Sequence, residues 1–553
     1  MTHKLDLHDI QGNIVYGYGH FGYPKARYLF FKFNNAVKGR DFVDKLVPLV
    51  TTSAPLNRQQ KLLSKPTATT NVAFTYAGLR ELGIPDASLQ TFPADFRMGM
   101  KARLDILGDD GPSAPEHWDP IWRGDSQDVH MFMSVNGVSE DKVAERYDSI
   151  VGIMNEINGA KGEGIQILTG HRGPGGVEDL PYQPASAISV ETEVDGKKIS
   201  MLTSWEHFHY TDGISDPYFK GMGSSDPDAA IGAGKPTRKD PQLAEGWEPL
   251  ETGEFVLGHR DEVKEYPIAP EPRLLSYNGS FMAYRKLHQN VGAYNDYMHE
   301  ASKQMGLEDE NEAVETLAAQ FAGRWRNGAP LATYPTYKEA QEFGRQWSDC
   351  TLKLFMNPDA YSDKEINTAL ALYQKLKKQR KAFNYNEDIN GSKCPMTSHM
   401  RRVNPRGALE YGGGSDTYNT PGALVNRRRI LRRGLPYGDS SDRTNNDGDH
   451  GIILIAVNAS IERQFEFMQQ QWINYGNDFK LSNDKDPLIG NHRVEKDGSP
   501  KGRTIIPGDK ETGRLPLFCS NLPRFVETRG GDYFFIPSMT ALRMIGEGII
   551  DPT

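Results

Sequence analysis

Apolar runs followed by helical periodicity recur along the first half of the chain. Residues 26–33, ARYLFFKF, predict a buried strand, and a helix-like segment follows at 39–50. A second apolar run, VHMFMSVNG at 129–137, leads into a segment that has Ser139 as its candidate N-cap. Apolar residues then follow at helical spacing, at Val143, Tyr147, Ile150 and Met154. The first half therefore predicts two strand-then-helix units.

The second half repeats this pattern. Residues 279–287, GSFMAYRKL, precede a helix-like segment at 291–305, and residues 451–459, GIILIAVNA, precede another at 460–473. Buried strands that lead into helices on one face predict antiparallel sheets covered by helices. The pattern thus predicts the α+β class, with one such sandwich in each half.

A proline-rich segment divides the two halves. Residues 266–279, YPIAPEPRLLSYNG, contain prolines that interrupt regular structure. We therefore predict an N-terminal domain at 1–268 and a C-terminal domain at 269–553, although 553 residues would also allow three or four domains.

Composition and charge exclude several classes of protein. Hydrophobic residues make up 37% and charged residues 25%, which is typical of a globular chain, and the net charge of −9 provides no general attraction to nucleic acid or anionic membranes. No run approaches 18 apolar residues, so we expect no membrane span. The first residues, MTHKLDLHDIQGN, have no apolar h-region. We expect a cytoplasmic protein, and export by a non-classical route stays open.

The three cysteines give no disulfide framework. Cys350, Cys394 and Cys519 form neither a zinc spacing nor the CxxCH motif of covalent haem attachment. We interpret them as structural thiols. HExxH, P-loop and strand-associated GxGxxG motifs are also missing from the sequence.

The most informative chemistry lies between Cys394 and Gly438. His399 precedes a cationic run that ends in Arg406, and a second arginine cluster spans 427–433 with apolar residues embedded in it. One imidazole with apolar neighbours and convergent arginines is what a haem pocket requires. From spacing alone, the favoured interpretation of His399 is a surface histidine beside a solvated basic loop. For the cluster at 427–433, RNA binding is a further alternative.

Three motifs point to a family. The segments HMRRVNPR at 399–406 and RILRRGLPYG at 429–438 resemble the C-terminal haem half of the dye-decolourising peroxidases. The segment EHFHYTDGISDP at 206–217 resembles the family's GxxDG motif, with His209 in place of the first glycine. Similar stretches cover nearly the full length, at 5–19, 92–109, 115–120, 253–259, 323–331 and 459–472. The chain most resembles the longer members.

The resemblance implies a fold and a cofactor. It predicts two ferredoxin-like domains whose sheets form a dimeric α+β barrel, with haem held in the C-terminal half. It also implies one haem b per chain, and the absence of a CxxCH motif indicates that the haem is bound without a covalent link.

The resemblance further assigns roles to residues. His399 is the expected axial ligand of the haem iron, and its Nδ1–H needs an acceptor. Asp486 is the candidate for that acceptor; Asp484 is the alternate, and a solvated loop acid is an equally weighted interpretation. Arg406 is the expected partner of a haem propionate.

On the open side of the haem, two residues are expected to act on peroxide. Asp212 is the predicted catalytic base, which takes a proton from hydrogen peroxide and returns it to the outer oxygen. Arg432, rather than Arg433, matches the family's distal arginine and is expected to stabilise the charge that develops as the O–O bond breaks. His209 either brings a second titratable group towards Asp212 or points away.

The sequence therefore predicts a haem peroxidase that reduces hydrogen peroxide and oxidises dyes, phenolics or other one-electron donors. Bulky donors are expected to react at the surface through Tyr or Trp side chains. A haem-binding or haem-transfer protein on the same scaffold is the first alternative, and a haem-free interaction module is the second. We expect no nucleic acid or membrane partner, and the oligomeric state stays open.

Overall fold

The computed structural model describes most of the chain. The described ranges are 5–55, 66–124, 128–173, 177–194, 197–224, 226–236, 246–409, 422–441, 444, 446, 448–508 and 515–550. None of the described helices combines the length and the apolar character that a bilayer crossing requires.

A single antiparallel sheet holds ten strands of this described chain. The strands are β1 Lys25–Phe33, β2 Ala68–Phe74, β3 Met131–Gly137, β4 Ile165–Ile167, β5 Gln183–Ser186, β6 Ser280–Gln289, β7 Leu431–Arg433, β8 Pro436–Tyr437, β9 Gly451–Asn458 and β10 Val526–Ile536. Their order is β7-β9-β6-β10-β2-β3-β1-β4, while β8 also pairs with β9 and β5 with β1. Each half of the chain thus contributes one continuous part of the sheet.

The two parts meet at two places. β10 pairs with β2 through Phe535 and Phe74, and β8 lies close to β5 on the other side. The residues on one face of these strands form an aromatic core that includes Tyr28, Phe132 and Tyr284. Strands from both halves therefore curl around one shared interior.

Eight of the helices are labelled α1 to α8. They are α1 Ala36–Leu46, α2 Glu140–Asn158, α3 Val291–Ser302, α4 Glu310–Ala322, α5 Tyr337–Thr351, α6 Asp363–Gln379, α7 His399–Val403 and α8 Met539–Glu547. Shorter α-helices span Gly12–Val15, Tyr76–Glu81, Asp86–Leu89, Ala94–Met98, Leu104–Leu107, Pro120–Arg123, Arg273–Ser276 and Ala423–Asn426. α1, α2 and α8 pack together on the outer face of the first half.

Four two-stranded pairs lie outside the main sheet. They are His171–Gly173 with Val177–Leu180, Ser189–Val194 with Lys197–Leu202, Lys235–Pro236 with Trp247–Glu248, and Gly502–Ile506 with Leu517–Leu522.

The α+β prediction is confirmed by this mixture of helices and antiparallel strands. Each predicted strand and helix forms within a few residues of its expected bounds, and Ser139 caps α2 by accepting a hydrogen bond from the Lys142 N–H at 3.4 Å. Two details differ. The segment predicted as an α-helix at 460–473 is π-helical over Ile461–Glu466 and Met468–Ile473. The proline-rich segment contains the short helix Arg273–Ser276, which begins after Pro272.

The strands before and after this segment form separate parts of the sheet, with the seam between β10 and β2. The division at 268/269 stays a prediction, because both parts share one interior.

A buried ion pair ties the two halves together inside the fold. Lys286 on β6 and Asp119 are both fully buried, and their Nζ and Oδ2 atoms lie 2.8 Å apart. Lys286 also lies 3.2 Å from Asp449 and 4.6 Å from the centre of the Tyr437 ring. Removing one partner of such a pair leaves an uncompensated charge in a medium that solvates it poorly.

We predict that Asp119→Ala lowers the free energy of unfolding by about 3–5 kcal/mol, because Lys286 loses its closest counter-charge. Chemical denaturation of wild type and variant measures this. Glu300→Ala is the control, since Glu300 and Lys303 form an exposed pair at 2.7 Å, and it should leave stability unchanged within error. Equal effects of the two substitutions would contradict the assignment.

Candidate functional site

A cavity of about 300 Å³ lies between the sheet and the helices of the second half. One wall is the outward face of β6, β9 and β10, and the opposite wall comes from α7 and the π-helical segment Met468–Ile473. Its volume lies in the range of small-molecule and cofactor pockets. Apolar side chains dominate the walls: Leu107, Ile214, Leu287, Ala322, Val403, Ile430, Ile452, Leu454, Phe465, Met468, Ile473, Leu488, Ile489 and Val526.

His399 lies at the first position of α7 and lines this cavity. Its Nδ1 lies 2.9 Å from Oδ2 of Asp486, which is fully buried, whereas the His399 side chain keeps 28% of its surface exposed. A carboxylate can only accept, so the hydrogen bond assigns the proton to Nδ1 and leaves the lone pair on Nε2. This tautomer suits an imidazole that binds a metal.

Asp486 is itself held rigidly. Its Oδ1 accepts hydrogen bonds from the N–H groups of Leu488 and Ile489 at 2.9 and 3.0 Å. Burial alone would raise the pKa of Asp486, but His399, the charge of Arg402 and the hydrogen bond from Ile489 outweigh burial and lower the pKa. The structure brings Asp486 to His399, while the alternate, Asp484, has its carboxylate 3.9 Å from Arg503.

The cationic run after His399 is mostly structural. Arg401 and Arg402 are fully buried, and their guanidinium groups donate to backbone carbonyls and to Asp388. Arg402 reaches Trp472 O at 2.6 Å and Asp484 O at 2.8 Å. Arg402 therefore fixes α7 against the segments that carry Trp472 and Asp486, whereas Arg401 fixes α7 against residues 388–394.

Asp212 and Arg432 meet at the cavity. Arg432 Nη1 lies 2.7 Å from Asp212 Oδ1, and both side chains expose part of their surface to the cavity, 40% and 34%. The charge of Asp212 raises the pKa of Arg432, so the guanidinium stays cationic. The Gly213 N–H also donates to Asp212 Oδ1, at 2.6 Å. A carboxylate and a fixed cation thus share one face of the cavity.

Arg433 has a different environment. Its guanidinium donates to the carbonyls of Asn13 and Ile14 and lies 2.7 Å from Asp216. It lies on the opposite face of β7 from Arg432, because successive strand residues alternate in direction. The alternation explains why only one arginine of the pair lines the cavity.

His209 does not line the cavity. Its ring stacks on Trp205, with ring centres 5.0 Å apart and an angle of 24° between the planes. Its φ of +67° lies in the left-handed region, where the family's glycine would have no steric penalty. The backbone therefore keeps the conformation that a glycine favours, and the imidazole packs on an aromatic ring.

Arg406 lines the cavity but directs its terminal nitrogens to the backbone. It donates to the carbonyls of Gly232, Lys381 and Phe383, and its Cζ lies 3.8 Å from the Phe383 ring centre. Arg324 and Arg429 also line the cavity. Nη2 of Arg324 has no hydrogen-bond partner among the described residues, and Arg429 makes only long contacts to carbonyls, at 3.4 and 3.5 Å.

These arginines form an unbalanced cationic cluster. Burial, together with the nearby charge of Arg406, lowers the pKa of Arg324 and of Arg429 to about 9. Among the described residues, six arginines line the cavity and only three carboxylates do. An anionic ligand would relieve this repulsion.

The residues present therefore fit the haem that the sequence implies. An apolar slot suits a porphyrin ring, one oriented imidazole suits its iron, and buried guanidinium groups without carboxylate partners suit its two propionates. The buried hydroxyl of Ser215, which lacks a partner among the described residues and lines the cavity, is a further donor suited to a propionate carboxylate.

Sequence reasoning missed several cavity residues. Arg324 lies within the family-like stretch 323–331 and Arg429 within the arginine cluster, but the sequence predicts no role for either. Glu206 opens the motif that contains Asp212, and its carboxylate also lines the cavity together with Gln289. Only their position beside predicted site residues could have indicated them.

The known proteins that this chain resembles include dye-decolorizing peroxidases. Residues 9–163 match the model of a DyP dimeric alpha+beta barrel domain. The chain is 25% identical over 563 residues to a dye-decolorizing peroxidase of Mycetinis scorodonius, covering 98% of this chain and 88% of that protein. It is 26% identical over 561 residues to a multifunctional dye peroxidase of an Amycolatopsis species, covering 98% and 96%.

Solved structures show the same architecture. An ancestral D-type dye decolorizing peroxidase superposes with a TM-score of 0.69 at 26% identity, covering 98% of this chain and 99% of that one. A dye-decolorizing peroxidase in complex with 2,6-dimethoxyphenol superposes with a TM-score of 0.66 at 23% identity, covering 98% and 100%. The dimeric α+β barrel expected from the sequence is thereby confirmed.

His207 anchors the loop that carries Asp212, and its buried imidazole makes the stability of the fold depend on pH. His207 is buried, its Nε2 lies 2.8 Å from the Tyr437 carbonyl, and burial, with the neighbouring His450, lowers its pKa to about 4. Between pH 6.5 and about 4 the unfolded chain therefore binds a proton that the folded chain does not. Stability should fall as the pH falls through this window, by up to about 1.4 kcal/mol per pH unit for this residue.

We predict that His207→Gln, whose amide can still donate to Tyr437, makes the decline in unfolding free energy with falling pH shallower. Denaturation curves at several pH values measure the slope. His299→Gln replaces an exposed histidine and should leave the slope as in wild type. An unchanged slope in His207→Gln would show that His207 does not contribute.

Proposed function

We propose that this chain, as a member of the dye-decolourising peroxidase family, binds one haem b in its cavity without a covalent link and uses Asp212 and Arg432 to reduce hydrogen peroxide. The chain is an oxidoreductase of this haem-dependent family. The observation that carries the proposal is the 2.7 Å ion pair between Arg432 and Asp212 on one side of a cavity whose other side presents His399.

The proposed haem site uses both walls of the cavity. His399 would bind the iron through Nε2, and Asp486 would keep the imidazole electron-rich by accepting the Nδ1 proton. Arg324 and Arg429 would receive the propionates, together with Arg406 at the same edge. Bound haem would supply the iron that binds peroxide and the electrons that cleave the O–O bond.

Asp212 is proposed as the catalytic base. Its carboxylate takes a proton from the inner oxygen of hydrogen peroxide and returns it to the outer oxygen, which leaves as water. An aspartate has an ordinary pKa near 3.9, so it stays ionised at pH values where an imidazole is already protonated. Activity at acid pH follows from this choice of base.

Arg432, on β7, is proposed to assist the cleavage of the same O–O bond. It stays cationic beside Asp212, and a fixed cation stabilises negative charge on the departing oxygen without having to reorganise. Since β7 positions the Arg432 backbone and Asp212 its guanidinium, the pair is already arranged when peroxide arrives.

The reducing substrates are dyes, phenolics or other one-electron donors. The relatives are named for dyes, and one structural neighbour was solved with 2,6-dimethoxyphenol. We propose that such donors reduce this enzyme as well. A haem-binding or haem-transfer protein without efficient turnover is the alternative, but haem storage requires neither the base Asp212 nor the cation Arg432.

The absorption spectrum tests the proposal directly. Purified protein supplied with haem should show a Soret band, and stoichiometric hydrogen peroxide should change it within seconds, with oxidation of an added phenol restoring it. A stable Soret band that does not respond to peroxide would favour the haem-binding alternative, and no Soret band would contradict both.

We predict that His399→Ala binds far less haem, because the iron loses its protein ligand. The ratio of Soret to protein absorbance after reconstitution measures this, and His299→Ala is the exposed control. Added imidazole should restore part of the binding by filling the space of the missing side chain. Haem content and spectrum equal to wild type would remove His399 from the iron site.

We predict that Arg432→Leu keeps haem but reacts with peroxide roughly 100-fold or more slowly, because one preorganised cation is lost. Stopped-flow absorbance at varied peroxide concentration gives the second-order rate. Arg345→Leu removes an exposed arginine and should react as wild type does. A rate for Arg432→Leu close to wild type would assign the charge stabilisation to another residue.

A further inference from the structure

Glu206 organises the loop that leads to Asp212. Its Oε2 accepts a hydrogen bond from the Phe208 N–H at 2.8 Å, and its Oε1 accepts one from the Tyr210 N–H at 2.9 Å. The backbone closes the same turn, since the His209 N–H donates to Glu206 O at 2.8 Å. One carboxylate therefore holds a turn in which His209 has a left-handed backbone.

The same carboxylate ties the loop to the sheet. The side chain of Gln289, at the end of β6, donates to Glu206 Oε2. Gln289 is buried and lines the cavity beside Glu206. Beyond the turn, the Asp212 N–H donates to Ser204 O at 2.8 Å, which closes the loop just before the catalytic carboxylate. The position of Asp212 thus depends on contacts centred on Glu206.

The pKa of Glu206 is raised overall, because the effect of burial exceeds that of its hydrogen bonds. Burial raises its pKa, the hydrogen bonds from Gln289, Phe208 and Tyr210 lower it, and the nearby charge of Asp212 raises it further. Other groups facing it are Arg326, which lies over the rings of Tyr210 and Tyr294, and the phenol groups of these two tyrosines. Arg432 is paired with Asp212, the carboxylate whose charge acts on Glu206.

We propose that Glu206 is a positioning residue for proton transfer: its ionised carboxylate fixes the 204–212 loop so that Asp212 meets Arg432 at the cavity. This inference rests on the proposed peroxidase function. When Glu206 is protonated, one of its oxygens becomes a donor and no longer accepts well from a backbone N–H. The loop is then held less tightly, and Asp212 is positioned less well.

Glu206→Gln tests this because glutamine is neutral at every pH. At neutral pH the variant should react with peroxide roughly 10- to 100-fold more slowly than wild type, as expected for a misplaced catalytic group. At acid pH, where Glu206 of the wild type is also neutral, the deficit should shrink. A purely structural role would give a deficit that does not change with pH.

Asp532→Asn is the matched control. Asp532 is a buried carboxylate that, like the partly buried Glu206, accepts two backbone N–H bonds, from Met100 at 3.0 Å and Tyr533 at 2.8 Å, and it does not line the cavity. It should lose stability without slowing the reaction with peroxide. Gln289→Met is a second variant, which removes the hydrogen bond from Gln289 to Glu206. At neutral pH its rate with peroxide should fall by less than that of Glu206→Gln.

Amide hydrogen exchange of the haem-free protein gives a readout independent of activity. The N–H groups of Phe208 and Tyr210 should lose protection in Glu206→Gln but keep it in Asp532→Asn. A wild type that binds haem but ignores peroxide would overturn the proposed function, while exchange still decides whether Glu206 fixes the loop. A pH-independent deficit, a faster variant or unchanged exchange would overturn the inference.

Discussion

The ion pair between Arg432 and Asp212 is the contact on which the site depends. Asp212 lies on a loop of the first half, and Arg432 lies on β7 of the second, so the pair at 2.7 Å forms only when both halves share one barrel. The cavity lies beside this junction. A shift of one residue in the pairing of β7 with β9 would turn Arg432 to the other face of the sheet, because side chains alternate along a strand.

The opposite wall of the cavity holds the imidazole of His399 in one tautomer. Asp486 does this with a hydrogen bond of 2.9 Å to His399, and buried Arg401 and Arg402 fix α7 in place. Charge is distributed unequally around the cavity. Arg324 and Arg429 crowd one edge, which suits the carboxylates of a haem, while the base and its cation occupy the side where peroxide would bind.

The strands and helices could be predicted because their periodicity is local, and the α+β class followed from it. The site could not be predicted from periodicity, since His399 and Asp486 are 87 residues apart and meet only in the folded chain. Family motifs supplied these residues. The motifs did not reveal that Arg401 and Arg402 are buried anchors, that Arg406 binds backbone carbonyls, or that His209 stacks on Trp205, because each depends on packing between distant segments.

Asp212, beside Arg432, is the proposed acceptor of the proton of hydrogen peroxide. The most direct test is the second-order rate with peroxide as a function of pH, for wild type and for Asp212→Asn, which keeps the shape of the side chain but removes the base. If Asp212 is the base, Asp212→Asn should retain haem, react far more slowly and lose the acidic limb of the profile. An Asp212→Asn rate and profile equal to those of wild type would contradict it.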